Sequence, residues 1–340
     1  MKWVPKKCIQ YEYVQKCLMN CEKTKQFTNN YFYTQMLETK IKDLLQIDDS
    51  KSIICVVNGA AALMTIAISI DMEHKKKYWA TQSFTFPPSA QGYFSNALII
   101  DIDKEGGLDL NLLPEHINAI CVTNVFGNVV DIQKYELWKQ KQEGRILIFD
   151  NAATPYTFYK NKNSCNYGDA SIISFHHTKP LGFGEGGAII CDKKWEHNVR
   201  RIINFGIDNQ FKLPWLREGN NYKMTEISAI FILQYLLNFD KIIQTHQELY
   251  NKVKELNLEL YPNFCSGIPV LSCFSIFHDR FTKEFIQKLN DIGIEARKYY
   301  TPLESTKISD MFFKRICCFP CHTDLSFEDL KRMKEIIENV

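Results

Sequence analysis

Short apolar runs alternating with helical patterns predict an α/β chain, with a mainly parallel sheet sandwiched by helices and a smaller C-terminal α+β region. Two observations carry that prediction. The runs are rich in Val and Ile and are nearly continuous, as expected of strands that helices cover on both faces. Beyond about residue 240 the texture changes, and single strand and helix signals replace the regular alternation.

Strands are expected at residues 53–57, 77–81, 97–101, 119–123, 146–150, 170–175 and 188–191. Helical periodicity lies between several of them, at 60–70, 132–141 and 195–204. A long helical stretch then leads from Met224 toward His246. After it come a strand at 270–277, a helix at 282–292 and a final helix at 327–339. The expected division is therefore 1–240 for a large domain and 241–340 for a small one, with the site beyond the strand ends.

The chain has 340 residues, and 41 Lys and Arg against 39 Asp and Glu leave a formal charge of +2. That balance argues against nucleic acid or a membrane surface as partner, since neither would find its phosphates neutralised. The longest basic run, at 75–77, reads as a solvated loop. No secretory leader is read at the N-terminus, and the longest apolar run, 229–237, is broken by Gln234. It falls far short of the roughly 20 residues a membrane span requires. The expectation is a soluble, cytoplasmic protein whose twelve cysteines are reduced thiols.

Three segments carry chemistry. In Ser174-Phe-His-His-Thr-Lys179-Pro-Leu-Gly-Phe-Gly-Glu-Gly-Gly187 a strand ends at Ser174 and a lysine stands just beyond it, in a Gly-rich turn. Such a lysine can form an imine with an aldehyde, and the glycines let a flat ring approach the backbone. Asp150 ends the apolar strand Arg145-Ile-Leu-Ile-Phe-Asp, where a carboxylate can hold a protonated ring nitrogen. Val57-Asn58-Gly59-Ala60-Ala61 follows a strand and opens a helix, whose free amides suit a phosphate. Taken singly, each also has an ordinary reading: a surface lysine, a turn aspartate and any strand–turn–helix junction.

In this order the segments resemble the DegT/DnrJ/EryC1/StrS family of sugar aminotransferases. The family's acidic residue followed by small residues is matched by Asp150-Asn-Ala-Ala, and its Gly-Asp-Ala and Ser-Phe-x-x-x-Lys by Gly168-Asp-Ala170 and Ser174-Phe-His-His-Thr-Lys179. Gly219-Asn-Asn221-Tyr-Lys-Met-Thr-Glu226 is similar to Gly-x-Asn-Tyr-Arg-Met-Thr-Glu, and Gly293-Ile-Glu-Ala-Arg297-Lys-Tyr-Tyr300-Thr-Pro302 to the C-terminal substrate segment. Phe319-Pro320 with Asp324-Leu-Ser resembles the entry to the last helix.

The resemblance implies a fold-type-I aminotransferase that binds pyridoxal 5'-phosphate, with pyridoxamine phosphate as intermediate. It implies a homodimer with shared active sites. Lys179 would form the Schiff base and shuttle the proton, and Asp150 would pair with the ring nitrogen. Phe84 would stack on the ring, and Ser174 with the amides of Gly59, Ala60 and Ala61 would hold the phosphate. Asn221 would reach that phosphate from the other subunit. Arg297, Tyr299, Tyr300 and His177 would contact substrate. The chain departs from the family at Ala60, where Thr is usual, at Ala153, where Gln or His is usual, and at Lys223, where Arg is usual. Asn151 beside Asp150 permits an alignment shifted by one; the aspartate is preferred because a neutral amide cannot hold a positive ring nitrogen.

The implied reaction moves an amino group from glutamate to a nucleotide-linked 4-keto-6-deoxy sugar. Ser-Phe-His followed by Gly-Glu-Gly-Gly looks closer to the enzymes acting at C4, while Thr-Lys-Pro-Leu-Gly shares features with those acting at C3. A dehydratase of the same family would carry histidine in place of Lys179, and a non-catalytic sensor would have lost the lysine or the acid. Two other motifs are set aside. The G-x-G-x-x-G of 182–187 precedes an apolar run that reads as a strand, whereas a dinucleotide fingerprint opens a helix. Cys318-Phe-Pro-Cys321-His322, with Cys317, has no second Cys/His pair of zinc spacing, so no metal is expected. Cys17 and Cys21 share one helical face as ordinary thiols, and His176 and His177 could equally be packing residues.

Overall fold

Two N-terminal helices, α1 (Tyr11–Thr24) and α2 (Phe32–Leu45), lead into β1 (Lys51–Val56), and α3 (Gly59–Glu73) follows at once. The computed structural model describes residues 1–73, 77–208 and 213–338. Two lysines of the 75–77 run and Asn339 of the expected last helix therefore lie outside the described residues. Next come β2 (Trp79–Gln82), β3 (Leu98–Ile100), β4 (Ala119–Thr123), α4 (Ile132–Gln140) and β5 (Ile146–Asp150). A two-strand ribbon, β6 (Phe158–Tyr159) and β7 (Lys162–Asn163), precedes β8 (Ala170–Ser174), β9 (Gly187–Asp192) and α5 (Glu196–Ile202).

Seven strands form one sheet in the order β1-β9-β8-β5-β4-β2-β3. The pairs from β3 through β2, β4 and β5 to β8 are parallel, and β9 runs antiparallel to both of its neighbours. The expected mainly parallel sheet between helices is the fold observed. One face is packed by α3 and α5 through Leu63, Ile66, Ile70, Val199 and Ile203. On other parts of the sheet lie α4 with Tyr135 and Trp138, and α1 and α2 with Cys17, Cys21, Leu37 and Ile41. The thiols at 17 and 21 thus belong to the core.

The continuous helix read from Met224 to His246 is two helices, α6 (Glu226–Leu236) and α7 (Phe239–Glu255). A turn closed by the Asn238 N–H on the Tyr235 carbonyl (3.2 Å) separates them. Thr225 caps α6 by accepting from the Ser228 N–H at 3.1 Å. Glu226 is fully buried, and its carboxylate takes the N–H groups of Tyr31 (2.8 Å) and Tyr33 (2.6 Å) at the start of α2.

The first turns of α7 (Phe239, Ile242, Ile243) belong to the sheet-side core, and its later ones (Leu249, Val253) to a second core. That second core is completed by β10 (Cys273–Phe277), α8 (Lys283–Asp291), β11 (Ile316–Pro320) and α10 (Phe327–Glu338). Between α8 and β11 lies α9 (Lys307–Arg315), unread in the sequence. Its N-terminus is held to the sheet by Asp101, just past β3, which accepts from Thr306 Oγ1 (2.7 Å), Ile308 N–H (2.8 Å) and Ser309 N–H (3.0 Å). Strand alternation sends Cys317 into the second core and Cys318 into an aromatic cluster between the two parts, so the two thiols point apart. No described helix is long and apolar enough to cross a membrane.

Candidate active site

The parallel strands β2, β4, β5 and β8, together with β1, all end at the same edge of the sheet. Register places Thr123 of β4 opposite Asp150 of β5, Asp150 opposite Ile172 of β8, and Ser174 opposite Gly187, which also pairs with Val56. Over this edge lies a cavity of about 410 Å³, closed from the other side by Ser272, Cys273, Arg297, Tyr299 and Tyr300. Its floor holds Asn58, Gly59, Ala60, Thr123, Asp150, Ser174 and Lys179. Catalytic groups in such sheets gather here because strand ends converge while loops stay free to vary.

Lys179 sits in the turn after β8: its N–H donates to the His176 carbonyl (2.8 Å), and its own carbonyl accepts from Gly182 N–H (3.0 Å). A Cβ on Gly182 would lie 2.1 Å from the His176 oxygen, so only glycine closes this turn. Burial pulls the Lys179 ammonium below its ordinary range, opposed by the charge of Asp150 and by Cys273. Burial pushes Asp150 the other way, opposed by the Ala152 N–H and by Lys179. Desolvation outweighs mutual attraction at both groups. One oxygen of Asp150 accepts from Ala152 N–H at 2.9 Å, and the other has no hydrogen-bond donor among the described residues. Asn151 does not compete for this place: its amide is fully buried, bonded to Asn124 (2.7 Å) and Ser171 (2.7 Å), and does not line the cavity.

At the start of α3 the expected set of three amides is reduced to two. The Ala61 N–H is spent on Asn58 Oδ1 (2.8 Å), an N-cap bond, and Ala61 does not line the cavity. The Gly59 and Ala60 N–H groups have no acceptor among the described residues, and both residues line it. Gly59 lies against Ser174, whose Cβ would be 3.2 Å from an added Cβ.

The aromatic wall also differs from expectation. Phe84 is fully buried among Phe126, Tyr261, Tyr300 and Phe312, with ring centroids 6.1–6.3 Å away, and does not line the cavity. Phe86, two residues on and 54% exposed, faces it instead, with Tyr300 at 5.8 Å. The backbone past β2 aims Phe84 into the cluster between the two parts, so it cannot offer a ring face to a ligand. His177 is likewise turned away, its Nε2–H on the Pro5 carbonyl (3.2 Å) and its ring against Phe183. His176 takes the cavity position, 3.5 Å from Glu185 and with Nδ1 accepting from Thr178 Oγ1 (2.9 Å).

Arg297, Tyr299 and Tyr300 all line the cavity, and the Arg297 guanidinium donates to the Tyr299 hydroxyl (2.5 Å). Trp3 lies beneath that guanidinium, 4.5 Å from ring centroid to Cζ, a neighbour that no local pattern announced. Asn221 is exposed and lies outside this cavity. Its segment runs beside the end of β1, bridging to Asn204 and, through the Tyr222 carbonyl, to Val57 N–H (2.8 Å). No group of three His, Cys, Asp or Glu able to hold a metal ion occurs among the described residues.

Known proteins share this architecture. The DegT/DnrJ/EryC1/StrS aminotransferase family model matches residues 8–338. The dTDP-4-amino-4,6-dideoxy-D-glucose transaminase of Shigella dysenteriae is 26% identical over 353 positions, covering 93% of this chain and 92% of that protein. The UDP-4-amino-4,6-dideoxy-N-acetyl-beta-L-altrosamine transaminase of Campylobacter jejuni is 23% identical over 322 positions, covering 84% and 85%. The crystal structure of DesI in the presence of its TDP-sugar product superposes with a TM-score of 0.85 at 18% identity, covering 100% of this chain and 92% of that one. A match that runs from residue 8 to residue 338, over both cores and nearly all of the cavity lining, means that this chain belongs to the DegT/DnrJ/EryC1/StrS aminotransferase family.

Proposed function

We propose that this aminotransferase moves an amino group from glutamate to a nucleotide-linked 4-keto-6-deoxy sugar, at C4, using pyridoxal phosphate held on Lys179. The observation that carries the reading is the meeting of Lys179 and Asp150, from the ends of neighbouring strands, in one cavity. The residues suit the cofactor's three demands. An open carboxylate oxygen on buried Asp150 suits a protonated ring nitrogen, two unspent amides beside Ser174 suit a phosphate, and a partly desolvated amine suits an aldehyde. When bound, the cofactor supplies an electron sink that makes the amino-acid Cα–H acidic and stores the amino group between half-reactions.

The chain's own residues divide the remaining work. Lys179 would hold the cofactor's aldehyde through its Nζ, and the same amine, when free, would serve as the base and acid that moves a proton in each half-reaction. Asp150 would hold the ring nitrogen in its protonated form, and Phe86, which lines the cavity, would take the stacking role first expected of Phe84. The Gly59 and Ala60 amides would hold the phosphate, aided by Ser174. Arg297, Tyr299, Tyr300 and Trp3 receive the nucleotide sugar, whose phosphates suit a guanidinium. Asn221 is assigned to the partner subunit's cofactor in a homodimer with shared sites; its exposure at the end of β1 leaves it available for that contact. Twelve free cysteines suit a reducing compartment, and we assign the cytoplasm.

The C4 position is supported by the 4-amino names of the two curated relatives described above. The test incubates the protein and glutamate with UDP-, dTDP- and GDP-linked 4-keto and 3-keto sugars, then locates the new carbon–nitrogen bond by NMR. Amination at C4 of one nucleotide series is expected. Amination at C3, or loss of a hydroxyl without amination, would overturn the assignment.

A further inference from the structure

The segment 2–10 is a strap that ties the C-terminal part to the turn carrying Lys179. Near its start the Trp3 N–H donates to Glu295 Oε2 (2.8 Å), His322 Nε2 donates to the Lys2 carbonyl (2.8 Å), and the Lys6 N–H is held by Asp324. At its far end the Gln10 N–H donates to Gln234 Oε1 of α6 (3.0 Å). Between these anchors the strap crosses the loop after β8. There the Pro5 carbonyl accepts from His177, and Lys7 Nζ donates to the Lys179 carbonyl (2.8 Å) and to the Gly182 carbonyl. The same ammonium lies 4.4 Å from the centroid of the Tyr235 ring.

These contacts require a side-chain hydrogen-bond donor. The Lys179 and Gly182 carbonyls bracket the turn, and one donor reaching both sets the separation of its two ends. Burial pulls the Lys7 ammonium down to about 7, opposed by Asp324. A methionine of similar length would fill the space without that desolvation but would leave the Lys7 bonds to both carbonyls unmade. The backbone of Lys179 decides where its side chain enters the cavity, and small misplacements of a reacting group cost heavily in rate.

We propose that Lys7 is the positioning residue of Lys179, holding the reactive lysine in register by binding the two carbonyls of its turn. The proposal rests on Lys179 being the residue that bonds the cofactor. The strap extends this control to the substrate wall, because its Trp3 lines the cavity beneath Arg297.

The test uses full-length holoenzyme and three variants, Lys7→Met, Lys7→Gln and Lys7→Arg. Borohydride reduction and peptide mass mapping of the wild type first show which lysine bonds the cofactor. Attachment elsewhere than Lys179 overturns both this proposal and the reading it rests on. With Lys179 labelled, Lys7→Met is expected to lower kcat at least about tenfold while KM for both substrates stays within about threefold. The visible circular dichroism of the bound cofactor, which reports how rigidly the lysine orients the ring, should fall together with kcat. Lys7→Gln and Lys7→Arg, which keep donors, should each recover part of both signals. Melting of the cofactor-free variants checks that all three fold. Unchanged dichroism in Lys7→Met overturns the positioning role alone, as does a uniform loss in all three variants that follows their melting temperatures.

Discussion

Replacing Phe84 and Phe86 by alanine, one at a time, separates a packing role from a ligand-facing one. Phe84 is fully buried against four aromatic rings, so truncation removes a whole core side chain and leaves a cavity that its rigid neighbours cannot close. Core Phe→Ala changes cost about 3–5 kcal/mol, and Phe84→Ala should lie in that range. Phe86 is 54% exposed, so its truncation should cost less than about 1 kcal/mol in the cofactor-free protein. Its ring faces the cavity, and losing one stacked face should weaken cofactor binding by about 1–2 kcal/mol, roughly five- to thirtyfold in Kd. Urea unfolding of the cofactor-free variants gives the first pair of numbers, and absorbance titration with pyridoxal phosphate the second. The reasoning fails if Phe86→Ala destabilises the fold as much as Phe84→Ala, or if Phe86→Ala binds cofactor like the wild type while a folded Phe84→Ala does not.

Three further outcomes are expected. Asp150→Asn should retain cofactor and fold but lose turnover, whereas Asn151→Ala, which strands Asn124 and Ser171, should cost about 1–3 kcal/mol of stability with turnover kept; the opposite pattern would move the ring-nitrogen acid one residue on. Asn221→Ala should leave cofactor-free stability unchanged and weaken cofactor retention by about 1–3 kcal/mol, while equal destabilisation with and without cofactor would show a local role only. Burial holds the His246 imidazole at about 4, opposed by its Nδ1–H bond to the Leu271 carbonyl (3.0 Å). The folded value lies below the unfolded one of about 6.5, so the unfolded chain binds the proton first. Stability is therefore intact above about pH 7 and is lost as pH falls from about 6.5 to about 4, by about 3 kcal/mol in total. His246→Gln should flatten that part of the pH dependence of the urea midpoint; an unchanged slope would assign it to other groups.

The amino-acid sequence alone determined the sheet and the floor of the site. Strands covered on both faces must be apolar throughout, so β1, β4, β5, β8 and β9 stood out as continuous Val/Ile runs. That Asp150, Ser174 and Lys179 share one cavity was readable because parallel strands deliver their C-terminal residues to one edge whatever the loops do. Direction within a loop was not readable. Phe84 or Phe86, His176 or His177, and Ala61 or its neighbours differ only in where the backbone aims them, and that depends on packing against residues distant in the chain. Phe84 is claimed by Tyr261 and Phe312, His177 by Pro5, and the Ala61 amide by the turn of Asn58. Helix phasing was lost in the same way: α6 is apolar all round, so nothing in its pattern marks the turn at Asn238 that separates it from α7. Trp3 and Lys7 carried no local signal at all. Their places, beneath Arg297 and under the carbonyl of a lysine 172 positions away, exist only because tertiary packing brings the strap, the C-terminal part and the sheet edge together.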